Sequence, residues 1–174
     1  MMESDVNWME DAMGLAKFAM RTVIGGLFVG HGLQKLQGRF NGPGLEGTEA
    51  MMESLEMRPA RRNALAAGVT ETAGGAMLAA GLATPLASSA LIGVMLTAIR
   101  KVHAPNGVWN ANGGWEFNAV MIAALYALAE DGPGKISLDH ALGQNRTQKR
   151  RGLAALALGV ATSTAAIEMG RRSA

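Results

Sequence analysis

The chain contains no cysteine. That absence excludes a dithiol–disulfide couple, thiolate-held iron–sulfur clusters and cysteine-based zinc sites within these residues. Charge is scarce as well, with Asp, Glu, Lys and Arg making up 17% of the residues. It is missing altogether from residues 72–99, 117–129 and 152–167. A soluble amphipathic helix shows a charged face about every two turns, so a soluble alanine-rich bundle fits these runs poorly and membrane spans fit them well. The mean hydropathy is only +0.14 because alanine and glycine dilute it. Both are common where spanning helices pack closely. The net charge is +2, and the basic residues flank apolar stretches rather than forming one patch. No nucleic-acid surface is expected. The first residues, "MMESDVNWMEDAMGL", are acidic where a signal peptide would be basic, so the first span is expected to be retained.

What is present organises into an all-α transmembrane bundle. A first span is expected over residues 13–36, ended by Gly38 and the "GPG" at 42–44. Residues 47–57 predict a short interfacial helix, with Thr48 as its N-cap and its methionines facing lipid. Spans two and three are expected over 63–82 and 85–100, joined by the tight "GLATP" hairpin, with Thr84 as N-cap and Pro85 in the first turn. The loop "HAPNGVWNANGGW" carries Trp109 and Trp115, which suit an interfacial aromatic belt. Span four is expected over 115–130, short enough that the loop before it dips inward. These elements make a domain of residues 1–143. Residues 144–174 follow as a basic connector, "NRTQKRR", and a fifth apolar stretch, 152–167, which either spans or lies at the surface. Lysine and arginine divide evenly between the two sides, so they assign no orientation.

The polar residues do not divide evenly. On "GGLFVGHGLQKL", His31 and Lys35 are i and i+4 and share a helix face, with Gln34 beside them. Span two enters from the same side, which puts Glu71 about 12 Å in, near the depth of His31. Arg100 and His103 leave span three there, and Glu116 and Asn118 open span four. A polar pocket is thus expected from His31, Gln34, Lys35, Glu71, Arg100, His103, Glu116 and Asn118 in one half of the membrane. The other half should hold only Lys17 and Arg21, near its boundary. Glu71 is expected to pair with Lys35 or His31, and Glu116 with Arg100 or His103, because an unpaired intramembrane charge costs several kcal/mol. Gly26 and Gly30 form a GxxxG pair, and Gly25 and Gly32 lie on the other flank of the His31 face. Gly68, Gly74 and Gly75 share the side of Glu71. No metal site is expected. His31 and His103 could ligate haem from two helices, but two histidines without further pattern carry little weight. His140 reads as a surface residue.

The segments "GLFVGHGLQKL", "GPGLEGT", "ESLEMRP", "TETAGGAMLAAGLATP", "VHAPNGVWNANGGWEFN" and "GPGKISLDHALG" together resemble the DoxX family of membrane proteins, in order, over about residues 21–143. The resemblance implies a four-helix, multi-pass protein of the bacterial or archaeal cytoplasmic membrane. Its relatives include the membrane subunit of a thiosulfate:quinone oxidoreductase and partners in complexes that handle superoxide and sulfur species. The family's first-helix residues correspond to His31, Gln34 and Lys35, its second-helix glutamate to Glu71, and its loop residues to His103 and Glu116. The fifth stretch departs from the family pattern. Two functions stay open. One is a subunit of a redox complex that binds quinone or a small anion such as thiosulfate, with no cofactor of its own and electrons supplied by a protein partner. The other is a non-enzymatic scaffold, acting with protein partners or as a homo-oligomer, whose polar cluster is structural. A carrier is disfavoured, because few short helices without an internal repeat make a small transporter.

Overall fold

The computed structural model describes residues 2–144 and 150–172; residues 145–149 of the basic connector lie outside the described residues. The described chain is helical, with no strand among the described residues. Helix α1 is Met2–Gln37, α2 is Gly44–Ser54, α3 is Ala60–Ala80 and α4 is Thr84–Ala98. After α4 a π-helical turn, Ile99–His103, and a 3-10 turn, Ala104–Asn106, carry the same rod onward. Helix α5 is Glu116–Asp131, α6 is the single turn Leu138–Ala141, and α7 is Arg151–Arg172. Three rods, Ala12–Gln37, Thr84–Asn106 and Arg151–Arg172, are long and apolar enough to cross a membrane.

The core shows why the long helices hold together. Ile24 and Phe28 of α1, Leu78 of α3, Leu91 and Ile92 of α4, Leu125 and Leu128 of α5 and Ala155 of α7 form one buried cluster. Helices α1 and α3 run antiparallel in very close contact, and glycines permit it. A Cβ on Gly25 would sit 2.7 Å from the backbone nitrogen of Ala79, and one on Gly75 would sit 2.8 Å from that of Val29. A Cβ on Gly32 would meet the Gly68 carbonyl at 2.7 Å. The expected Gly26/Gly30 pair is not part of this contact, since a Cβ at either position meets nothing within 4 Å. Both flanks of the His31 face carry glycine, but only the flank of Gly25 and Gly32 is turned toward α3.

Helix α7 is bound along its length. Glu130, at the end of α5, accepts from Gly152 N at 2.6 Å and Arg150 N at 3.2 Å, placing a carboxylate on the positive end of α7. Gly159 lies against Ile92 of α4, Thr97 bonds Ser163 at 3.0 Å, and Gly170 O accepts from Arg58 N at 3.2 Å.

The end of the bundle away from the expected pocket holds a polar lock. The expectation that this half lacks intramembrane polar groups does not hold, because Arg21 is completely buried. An α-helix leaves its last carbonyls without intrahelical donors. The Arg21 guanidinium supplies them for α3, donating to Leu78 O at 3.3 Å and Ala79 O at 3.1 Å, and to Ile136 O beyond α5. Asp139, also buried, serves the next helix start: it accepts from Ala83 N at 2.8 Å, Thr84 N at 3.1 Å and Thr84 Oγ1 at 3.2 Å. The N-cap of α4 is therefore Ala83, with the capping oxygens supplied from 55 residues away, rather than Thr84 acting on its own helix.

Two outcomes follow for thermal unfolding in detergent. Gly25→Leu should cost at least ~2 kcal/mol by forcing the α1 and α3 backbones apart. Gly26→Leu should stay within about 0.5 kcal/mol of the parent. Equal costs would disprove the assignment of the packing face. Arg21→Met should cost about 3 kcal/mol, since it orphans buried carbonyls and leaves Asp139 without its cation. Lys17→Met, which loses only the 3.8 Å contact to exposed Asp131, should cost less than about 1 kcal/mol.

Candidate functional site

At the opposite end, the helices part around a cavity of about 530 Å3. Helix α1 contributes Phe28, His31 and Lys35, and α3 contributes Asn63, Thr70 and Glu71. Helix α4 and its π turn contribute Met95, Thr97, Lys101 and His103, α5 contributes Phe117, Asn118 and Met121, and α7 contributes Thr162 and Ser163. Helix α2 and the segment after it close the space with Met51, Met52, Leu55 and Met57. Most of the wall is apolar, with a few polar groups set into it, as in small-molecule sites generally.

The central polar feature is an ion pair. Glu71 is 3% exposed, and the Lys35 ammonium stands 3.0 Å from Oε1 and 2.7 Å from Oε2. The contact to Oε1 is a directed hydrogen bond. Oε2 lacks a well-angled donor and is left as an open acceptor in the wall. The pair joins the two helices that the glycines bring together. Lys35 is 22% exposed, so its stem follows α1 toward the bundle end while its head reaches back to Glu71. Thr48 secures the same turn, its hydroxyl lying 3.1 Å from Lys35 O and 2.7 Å from Gly44 O. It thus sits inside α2 as a buried tie to α1 rather than as the expected N-cap. The methionines of α2 face the cavity, not lipid, because this tie turns Met51 and Met52 inward.

Five of the eight expected pocket residues line the cavity: His31, Lys35, Glu71, His103 and Asn118. Gln34 supports from behind. Its Oε1 is 3.0 Å from His31 Nδ1, and its Nε2 donates to Phe40 O at 3.3 Å. Arg100 and Glu116 are turned elsewhere, and the expected pairing of Glu116 with Arg100 or His103 does not form. The physical reason is local competition. Arg100 points to α7 and donates to Ser163 at 3.3 Å and Thr164 at 3.1 Å. Glu116 folds back onto its own loop and accepts from Asn110 N at 2.7 Å. His103 Nδ1 is 2.8 Å from Gly113 O, so it pins the same loop from the other side. The π turn makes this division possible, since it changes the helical register at Ile99–His103 and sends Arg100 outward while Lys101 and His103 reach the cavity. The loop dips inward as far as Asn110; Trp109 is exposed and Trp115 half-buried.

Several lining residues were absent from the sequence-based list. The α2 methionines, Asn63, and Thr162 and Ser163 carry no signal of their own. They become visible only when the fold places α2 and α7 on the cavity. Among the described residues no group of three histidine or carboxylate side chains is placed to hold a metal.

The pair should respond asymmetrically to substitution, measured as unfolding temperature in detergent. Glu71→Gln frees a lysine that can move toward the interface, and should cost about 1 kcal/mol. Lys35→Met strands a carboxylate that is 3% exposed and should cost about 3 kcal/mol or more. Changing both to methionine should recover most of that loss. The reverse ranking would contradict the burial pattern.

No curated protein and no solved structure matches this chain. A family model described as DoxX matches residues 16–104, about half of the chain. That stretch holds the glycine-packed α1–α3 pair, Lys35, Glu71 and both cavity histidines, and the chain belongs to the DoxX family of membrane proteins.

Proposed function

We propose that this DoxX-family protein is a multi-pass subunit of a redox complex in the cytoplasmic membrane, and that its cavity binds the ring of a quinone-type ligand. The observation that carries this reading is the cavity itself: about 530 Å3, mostly apolar, with a buried Lys35–Glu71 pair in its wall. A flat ring with oxygens at its edge matches apolar walls and sparse polar groups. A small inorganic anion such as thiosulfate matches them less well. Lys35 is already neutralised by Glu71, and Arg100 is committed to α7, so little free positive charge faces the cavity. An anion there would lose its hydration with little compensation.

The ligand's proton chemistry is also served. Quinone reduction takes up protons and quinol oxidation releases them, and a carboxylate beside imidazoles can carry them. The chain presents no haem, flavin or iron–sulfur motif, so electrons would pass to or from a protein partner. The alternative, a scaffold with a structural polar cluster, draws on the completeness of the Lys35–Glu71 contact, which would hold α1 to α3 without any ligand.

Mass spectrometry of an organic extract of the protein, purified in mild detergent, separates the two. The quinone reading expects co-purified quinone at a substantial fraction of one per chain. Ala67→Phe, which fills the lined space, should remove it while the protein remains folded. Absence of quinone from extract and from titration of the parent protein would favour the scaffold.

A further inference from the structure

The hydrogen-bonding groups facing the cavity are unequally divided between donors and acceptors. Each histidine has its tautomer set by its partner. Gly113 O can only accept, so His103 Nδ1 carries the proton of that 2.8 Å bond. Gln34 Nε2 is assigned by its bond to Phe40 O, so Gln34 Oε1 faces His31 Nδ1, which must also donate. In the neutral rings, Nε2 of both histidines is therefore a lone-pair acceptor, and no described residue bonds either one. Glu71 Oε2 adds a third open acceptor.

The donors are nearly all spent. The Lys35 ammonium is turned onto Glu71. The amide of Asn63 donates to Met57 O at 3.2 Å and Pro59 O at 3.1 Å, and that of Asn118 to Met95 Sδ at 3.5 Å. Thr97 donates to Gly93 O at 2.8 Å, so its 3.0 Å contact with Ser163 uses the serine's proton. The donors left are the Lys101 ammonium on the π turn and the Thr70 hydroxyl, which can equally accept.

A quinone carries two carbonyl acceptors at its ring edge, while a quinol carries two hydroxyl donors. Acceptor facing acceptor leaves both desolvated and unpaired, whereas hydroxyl facing imidazole or carboxylate completes both. We infer that the cavity selects the reduced, hydroxyl-bearing form of its ring ligand, a quinol, over the corresponding quinone. This rests on the ring-ligand reading above and assigns to His31 and His103 the part of specificity-determining acceptors. A buried site with the reverse bias would need donors aimed inward, and here Arg100 points away.

The test uses the full chain in lipid nanodiscs at pH 8, without oxygen, with decylubiquinol and decylubiquinone as probes. Kd is measured for each by equilibrium binding. The quinol should bind tighter by about tenfold or more, as one or two net hydrogen bonds imply. His31→Asn and His103→Asn keep a side-chain N–H near the position of Nδ1 and remove the Nε2 acceptor. Together they should bring the ratio close to one while the protein stays folded. If both probes bind with equal affinity, or the quinone binds tighter, the inference fails and the pocket reading stands. A tenfold preference that survives the double substitution overturns the histidines' part. If neither probe binds, the pocket reading falls, and this inference with it.

Discussion

A carboxylate that is 3% exposed in an apolar bundle must have its cation within contact distance, and in this protein that requirement reaches back to glycine. Lys35 can meet Glu71 only if α1 and α3 lie closer than ordinary side chains permit. Gly25 and Gly32 on one helix, with Gly68 and Gly75 on the other, allow that approach. The close contact then has a geometric consequence. Two helices pressed together on one side leave room on the other, and α4, α5 and α7 enclose that room without filling it. The cavity and the ion pair in its wall are thus two results of one packing choice.

The two ends of the bundle use buried charge differently. At one end Arg21 and Asp139 are consumed by backbone groups: the guanidinium closes α3, and the carboxylate opens α4. Both answer the unsatisfied termini that every helix leaves. The hairpin between α3 and α4 is thereby fixed, and the segment carrying Ile136 and Asp139 is folded over it. At the other end Lys35 and Glu71 answer each other, and one carboxylate oxygen and two imidazole nitrogens remain open. A rigid end and an unsaturated end on the same helices suit a site that must hold its shape while a ligand enters and leaves.

Much of this was legible in the sequence because it depends on depth and period. The absence of charge marked the apolar rods, and counting residues from each helix end placed His31, Lys35 and Glu71 at one level. Azimuth was harder. Gly26 and Gly25 are adjacent, and only the packed partner decides which flank faces inward. The π turn shifts the register at Ile99–His103, so straight helical counting put Arg100 in the pocket. Glu116 was misplaced because a loop amide only a few residues away competes better than a guanidinium across the bundle. Arg21 was read as a boundary residue because its partners are backbone carbonyls, which leave no mark in side-chain chemistry.

The boundary of the family match adds a division of labour. The open acceptors on His31, Glu71 and His103, together with Lys35, all lie inside residues 16–104. The remaining wall, with Phe117, Asn118 and Met121 of α5 and Thr162 and Ser163 of α7, lies outside it. Hydrogen-bonding chemistry and cavity shape therefore come from separate parts of the chain. Helix α7 is fastened at Glu130, Ser163 and Gly170, and Arg100 is drawn to it and away from the cavity. In binding Arg100, the fifth long helix withdraws a positive donor that would otherwise stand near the pocket. The helix that departs from the family pattern thus affects the electrostatics of the site as well as its volume, and both effects favour an uncharged ring over an anion.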